Sequence, residues 1–126
     1  MIKHGNPPYL ECSSRGDRRF SAFYARPSEL GGRSIEEAYQ ARKILEDGRT
    51  GLYWREAKGR RAVNQEECAE YYKYLWTLYV LENNLLTVLK RASGLSDIFG
   101  REGSVCQATV LWDIRNENKG RDPQSH

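Results

Sequence analysis

The chain contains only two histidines and three widely separated cysteines, which restricts the chemistry available to it. His4 and His126 lie near opposite ends, so neither a Ser-His-Asp triad nor a histidine-rich metal site is expected. Cys12, Cys68 and Cys106 form neither a CxxC metal pattern nor an even-numbered disulfide framework. We therefore expect three free thiols, no metal and no cofactor. A site would be built from carboxylates, lysine, arginine and tyrosine, with cysteine as a further option.

The chain also lacks a long apolar run. No stretch approaches the roughly 18–20 apolar residues that cross a bilayer, and residues 1–8 lack the apolar core of a secretory signal. With the free thiols, these absences predict a cytoplasmic protein with no membrane partner. The 20 Lys and Arg against 17 Asp and Glu give a net charge of +3, too weak to indicate an obligate nucleic-acid binder. A phosphate-bearing ligand stays open.

Aromatic residues are plentiful by contrast. Three Trp, eight Tyr and three Phe supply the bulky side chains of a hydrophobic core, and 126 residues suit one domain. We predict a single domain over residues 1–115. The polar segment 116–126 is predicted to be a disordered tail.

Capping signals and apolar spacing predict a mainly helical α+β domain. Ser34 and Glu37 form a capping box, so a helix is expected to begin there and to end at Asp47, before Gly48. Alternation predicts a short strand from Tyr9 to Cys12, and glycines predict a loop over 95–103. The remaining predicted helices cover 52–59, 64–82 from an Asn64–Glu67 capping box, a segment ending at 93, and one opened by Ser104 and Gln107.

One face of the first predicted helix is polar. Gln40 and Lys43 follow Glu36 by four and seven residues, which places all three on one side, beside the apolar stripe. A sheltered carboxylate there can act as general acid or base. A desolvated lysine can attack a carbonyl or an open-chain sugar aldehyde. An ordinary solvated helix surface explains the same pattern.

Two further segments carry candidate binding groups. The first is a cationic run beside an aromatic residue, where arginine forks suit phosphate oxygens and the aromatic ring can stack on a base; it comprises Trp54, Arg55, Lys58, Arg60 and Arg61. A solvated basic face is its alternative. The second is Asp97 beside Phe99 in the predicted loop, for which a purely local turn hydrogen bond is the competing interpretation.

Taken together, these segments resemble the NADAR family, small and mainly helical proteins that hydrolyse N-glycosidic bonds. The hallmark helix of that family, Thr-Val-Glu-His-Tyr-Phe-Gln-Ala-x-Lys, is similar to residues 34–43, with matches at Glu36, Gln40, Ala41 and Lys43. Its Arg-Glu-Ala-Lys element followed by Gly-Arg resembles residues 55–60. The opening Phe-Ser-Asn-Phe segment resembles 20–24, and the closing loop and helix resemble 97–115. Within that last helix, Gln107 and Ala108 stand where the family has Leu and Gly.

The resemblance implies a compact, single-domain helical fold with a short N-terminal strand or irregular segments. It also implies a hydrolase that cleaves an ADP-ribosyl or ribosyl-phosphate conjugate, for example ADP-ribosylated guanine in nucleic acid or a phosphoribosylamino-pyrimidine. Glu36 would move a proton, Lys43 would steer charge or trap an opened sugar, and Asp97 would stabilise positive charge developing on the sugar. Substrate would be bound by Gln40, Trp54, Arg55, Lys58, Arg60 and Phe99.

Two other functions stay open at this point. The same groove can bind or sense an NAD-derived nucleotide such as ADP-ribose without turnover. The clustered arginines and the mild positive charge also fit an accessory protein of nucleic acid.

Overall fold

The computed structural model of the chain describes residues 1–118, which form five helices and a three-stranded sheet. The architecture is α+β, as predicted. The strands are β1 (Ile2–Gly5), β2 (Tyr9–Glu11) and β3 (Gly94–Asp97). The helices are α1 (Ile35–Arg42), α2 (Trp54–Ala57), α3 (Gln65–Glu82), α4 (Leu86–Arg91) and α5 (Gln107–Glu117). Two 3-10 turns, Arg18–Phe20 and Ser28–Leu30, lie between β2 and α1.

The sheet is centred on β3, which pairs antiparallel with β1 and parallel with β2. The predicted loop is therefore wrong in its first residues, since Leu95 to Asp97 are strand. All four residues of β3 are buried, so the strand shows no polar–apolar alternation that could reveal it. Gly94 starts this strand instead of ending a helix. A Cβ at Gly94 would lie 2.5 Å from Asn6 O and 2.7 Å from a ring carbon of Tyr9, so only glycine fits between the neighbouring segments of the backbone.

Helix α1 begins as predicted but ends five residues early. Both hydrogen bonds of the Ser34–Glu37 capping box are present, at 3.1 and 3.0 Å. The helix then ends at Arg42, and Lys43 is extended. The Asn64 side chain causes this end, because its Nδ2 donates to Arg42 O (3.0 Å) and its Oδ1 accepts from Ile44 N (2.9 Å). The amide replaces the helical partners of both groups.

The other two predicted capping boxes are wrong for the same kind of reason. Asn64 precedes α3 but makes no capping bond, since its side chain is engaged with the end of α1. Glu67 instead pairs with Arg42 at 2.9 Å. Helix α5 starts at Gln107 and not at Ser104, because the Gln107 amide bonds to distant groups described below.

Helix α5 also continues to Glu117, beyond the predicted domain end at residue 115. The Glu117 carboxylate forms an ion pair with Lys73 of α3, which holds this last turn against the fold. The predicted disordered tail is thus helical at residues 116 and 117. Residues 119–126 of that tail lie outside the described residues.

One hydrophobic cluster joins the sheet and the helices. Its largest fully buried side chains come from every layer and include Trp76, Phe20, Ile35, Leu75, Leu89, Leu95, Leu111 and Ile114. Ile35 and Ala38 anchor α1 in this cluster, which fixes the rotation of the helix and hence the direction of its polar face. Within residues 1–118, no helix is long and apolar enough to cross a membrane.

Candidate functional site

The polar face of α1 is sheltered from water. Glu36, Gln40 and Lys43 are only 6%, 4% and 8% exposed. The first two lie one helical turn apart, and Lys43 is the extended residue that follows the last residue of the helix. An ordinary solvated helix surface therefore does not describe these three residues. Buried polar groups need partners, and their partners define the site.

The Glu36 carboxylate receives two donors on the same oxygen. Gln40 Nε2 donates to Glu36 Oε1 at 2.9 Å, and Lys58 Nζ donates to it at 3.1 Å. No donor among the described residues bonds to Glu36 Oε2. The Gln40 Oε1 atom is buried and has no hydrogen-bond partner within the same residues. The site thus presents a carboxylate oxygen and an amide oxygen whose acceptor capacity is unused.

Lys43 makes different contacts from those its position on the helix suggests. Its ammonium donates to Ala57 O (3.1 Å) and to Arg60 O (3.0 Å). Burial lowers the pKa of Lys43, and the negative charge of Glu36 opposes that shift. Lys43 consequently ties the segment after α2 to the end of α1. The cation bonded to Glu36 is Lys58, which ends α2.

Aromatic rings lie next to Lys58. Phe23 and Trp54 meet edge to face, with centroids 5.2 Å apart, and Lys58 Nζ lies 5.1 Å from the Phe23 ring. The Arg55 guanidinium stacks on Trp54 at 5.1 Å. Phe23 is a site residue that the sequence analysis missed, and its only signal was the aromatic segment 20–24.

The predicted phosphate-binding cations do not converge. Lys58 is bonded to Glu36, Arg55 lies on Trp54, and the Arg60 side chain is exposed. Arg60 contributes its backbone carbonyl, as the acceptor for Lys43. Of these cations, only Lys58 contacts Glu36 within residues 1–118.

Asp97 lies at the end of β3 and is 4% exposed. Its Oδ1 accepts from Phe99 N at 2.9 Å, which is the local turn bond considered above. Its Oδ2 accepts from Gln107 Nε2 (3.2 Å) and from Cys106 Sγ (3.4 Å). Burial raises the pKa of the Cys106 thiol, which keeps it a protonated donor. The Phe99 ring itself is 58% exposed.

Tyr72 of α3 connects the two carboxylates electrostatically. Burial raises its pKa well above the ordinary value, and the negative charges of Glu36 and Asp97 raise it further. Tyr72 belongs to the hydrophobic core.

The two clefts found on the surface lie elsewhere. One, of about 640 Å³, is bounded by Glu46 and residues 61–67, and the other, of about 500 Å³, by residues 1–4, 101–104 and Thr109. Neither is lined by Glu36, Lys43 or Asp97. Within residues 1–118, no group of three or more His, Cys, Asp or Glu side chains is arranged to hold a metal ion.

Comparison of the chain with protein-family models, with curated proteins and with solved structures found no match. The resemblance to the NADAR family therefore rests on the quoted motifs. What the chain does has to be inferred from its residues and their geometry.

Proposed function

We propose that the chain is an N-glycosidase-type hydrolase acting on an ADP-ribosyl or ribosyl-phosphate conjugate, in the manner of the NADAR family that it resembles. The observation that carries this proposal is the buried Glu36 carboxylate, which among residues 1–118 has two donors on one oxygen and none on the other. Gln40 and Lys58 fix its orientation, so that Oε2 is the atom available to a ligand or to water.

The reaction replaces the bond between ribose C1′ and nitrogen with a bond from C1′ to a water oxygen. Glu36 takes a proton from the attacking water and the departing nitrogen gains one, so that one water is consumed, its hydroxyl ends on C1′ and its proton on the nitrogen, and no oxidant is needed. Holding these groups together in a sheltered site raises the strength of each electrostatic interaction.

Asp97 is the second carboxylate in this proposal. As the bond to nitrogen breaks, positive charge develops on the sugar, and a nearby carboxylate stabilises that charge as in glycoside hydrolysis. The three donors on Asp97 are uncharged groups, a backbone N–H, a thiol and an amide. Its negative charge is therefore not neutralised by an ion pair within residues 1–118.

The substrate-binding roles follow from position. Phe23 and Trp54 offer aromatic surface for the base, and Arg55 at the rim offers charge for phosphate. Lys43 holds the carbonyls of residues 57 and 60 and so keeps Lys58 beside Glu36. The Gln40 Oε1 atom has no partner within residues 1–118 and is fully buried, so a sugar hydroxyl would bond to it only after the side chains around it move.

The test is a panel of ADP-ribosylated DNA, ADP-ribosyl nucleosides and phosphoribosylamino-pyrimidines, with products separated by chromatography. We expect one class to be cleaved by the wild-type chain. Glu36→Gln is expected to lower cleavage by about 10²–10⁴-fold, the usual contribution of a general acid or base.

The neighbouring variant Glu37→Gln is the matched control. It carries the same chemical change one residue along α1, and a glutamine oxygen can still accept the Ser34 N–H bond of the capping box. Equal activity of Glu36→Gln and wild type would refute the catalytic assignment, as would the absence of cleavage across the whole panel.

A second candidate is a binder of an NAD-derived nucleotide such as ADP-ribose without turnover. The ion pair between Glu36 and Lys58 favours it, because the ammonium already occupies one oxygen of that carboxylate. Calorimetry with ADP-ribose separates the two functions. Binding with recovery of intact ligand, and no cleavage of any conjugate, supports the binder.

A further inference from the structure

We propose that Gln107 is a positioning residue that fixes the position of Asp97 relative to helix α1, which carries Glu36. The proposal rests on the proposed function, which places both carboxylates in the reaction. Gln107 is the first residue of α5 and is half-buried. The NADAR family has Leu at the corresponding place, so the resemblance assigns this residue no role.

The Gln107 amide is engaged at both ends. Its Nε2 donates to Asp97 Oδ2 at 3.2 Å, and its Oε1 accepts from Ala22 N at 2.8 Å. An amide turned by half a rotation would set its NH₂ group against a backbone N–H and its oxygen against a carboxylate, and both contacts are repulsive. The amide therefore has one favourable orientation.

The backbone of the same residue, Ala22, holds the first turn of α1. Ala22 O accepts from Glu36 N at 3.0 Å, and nearby Ala25 O accepts from Ile35 N at 2.9 Å. These bonds satisfy N–H groups that a helix start leaves without intrahelical partners. A continuous path of hydrogen bonds thus runs from Asp97 through Gln107 and Ala22 to Glu36.

The Oδ2 atom of Asp97 depends on this amide because its other donor is a thiol. Phe99 N bonds to Oδ1, so Oδ2 is held by Gln107 and by the thiol of Cys106, a weak donor. Within residues 1–118, no ion pair reaches Asp97. Loss of the amide would free Oδ2 and would leave Ala22 N without its partner.

The experiment compares Gln107→Met with Thr109→Val. Methionine keeps the length of the side chain but neither hydrogen bond. Thr109→Val, on the same helix, removes a different long-range hydrogen bond, the one between Thr109 Oγ1 and His4 Nε2 (2.9 Å). The measurements are kcat and KM for the conjugate that wild type cleaves, and the amide exchange rate of Ala22 by NMR.

For Gln107→Met we expect kcat to fall by about 10–100-fold with KM unchanged, because misplacing a reacting group by about 1 Å can cost 10²-fold. Exchange at Ala22 is expected to become faster. Thr109→Val is expected to change neither quantity.

Gln107→Glu adds a further measurement, the pH dependence of kcat, which a purely structural role of Gln107 would not change. A protonated glutamic acid can reproduce both hydrogen bonds, whereas an ionised one repels Asp97, so kcat is expected to recover as the pH falls. The other titratable groups around Asp97 include Cys12, Cys106 and Tyr72, whose pKa values burial raises, so these three stay neutral as the pH falls. Glu11 also lies there, since its carboxylate accepts from Ser96 Oγ and Ile98 N on either side of Asp97. Glu11 and Asp17, which lie near Cys12, are the same in both Gln107 variants.

Full kcat in Gln107→Met would overturn the inference, and so would a similar loss in Thr109→Val or a pH profile of Gln107→Glu that matches Gln107→Met. The absence of any cleavage by wild type overturns the proposed function itself. The two failures are thus distinguished by the wild-type measurement.

Discussion

Replacing Lys43 by methionine tests whether the buried ammonium fastens the segment after α2. The change removes the donors to Ala57 O and Arg60 O while keeping most of the apolar stem. Hydrogen bonds from a charged donor contribute about 1.5–3 kcal/mol each, so two give about 3–6 kcal/mol in favour of folding. Against this stands the cost of burying the ammonium, the same cost that lowers the pKa of Lys43.

Two details of the structure reduce the expected loss. Ala57 O keeps a second donor, Arg60 N at 3.0 Å, and the bond to Arg60 O is only partly buried, so water can replace it. We therefore expect Lys43→Met to lower the free energy of unfolding by about 1–3 kcal/mol. Urea titration followed by far-UV circular dichroism measures this change, with the m-value unaltered.

Lys73→Met is the matched control, because the Lys73–Glu117 ion pair is exposed and is worth about 0–1 kcal/mol. Amide exchange over residues 54–60 should also become faster in Lys43→Met and stay unchanged in the control. A Lys43→Met chain as stable as wild type, or more stable, would refute the reasoning: desolvation would then outweigh the two bonds.

Three further predictions concern other parts of the chain. Asn64→Ala removes both side-chain hydrogen bonds at the end of α1. Urea titration is expected to show a free energy of unfolding lower by about 1–2 kcal/mol. An unchanged free energy of unfolding would mean that the amide does not end the helix. Hydrogen bonds from Arg19 lower the pKa of Asp17 in the folded chain. The Asp17 carboxylate therefore stabilises the fold at pH values above its ordinary pKa near 3.8, and this stabilisation is lost as the pH falls through the lower pKa of the folded state. The melting temperature should therefore fall less steeply with decreasing pH in Asp17→Asn than in wild type. Parallel plots of melting temperature against pH would contradict this. Burial raises the pKa of each of the three thiols, Cys12, Cys68 and Cys106. A disulfide reagent at neutral pH should therefore react slowly with the folded chain and completely with the unfolded chain. Fast reaction of the folded chain would show that the thiols are accessible.

Local rules of helix geometry predicted what lies within one helix. Spacing placed Glu36 and Gln40 one turn apart, and their side chains are bonded. The Ser34 capping box placed the start of α1 correctly, since both of its bonds form within four residues. These statements need no knowledge of the rest of the chain.

These rules could not predict the partners of polar side chains that can either cap a helix or bond to a distant segment. Asn64, Glu67 and Gln107 all occupy positions typical of helix caps, yet each bonds to a group far away in sequence. An amide or carboxylate makes similar hydrogen bonds in either place, so the tertiary structure decides. The same holds for β3, a strand that exists only because β1 and β2 lie on either side of it.

The cation beside Glu36 shows how this affects a functional interpretation. Helical spacing brings Lys43 to the same face, but the ammonium bonded to the carboxylate belongs to Lys58, which is distant in sequence. Lys43 acts one step away, because its carbonyl bonds place the segment that carries Lys58. A spacing that pairs glutamate with lysine in sequence can thus be present while the ammonium that bonds to the carboxylate comes from another segment. At one pH, kcat should accordingly fall more in Lys58→Met, which loses a direct bond to Glu36, than in Lys43→Met, which acts through the segment that carries Lys58. Equal losses of kcat in the two variants would contradict this order.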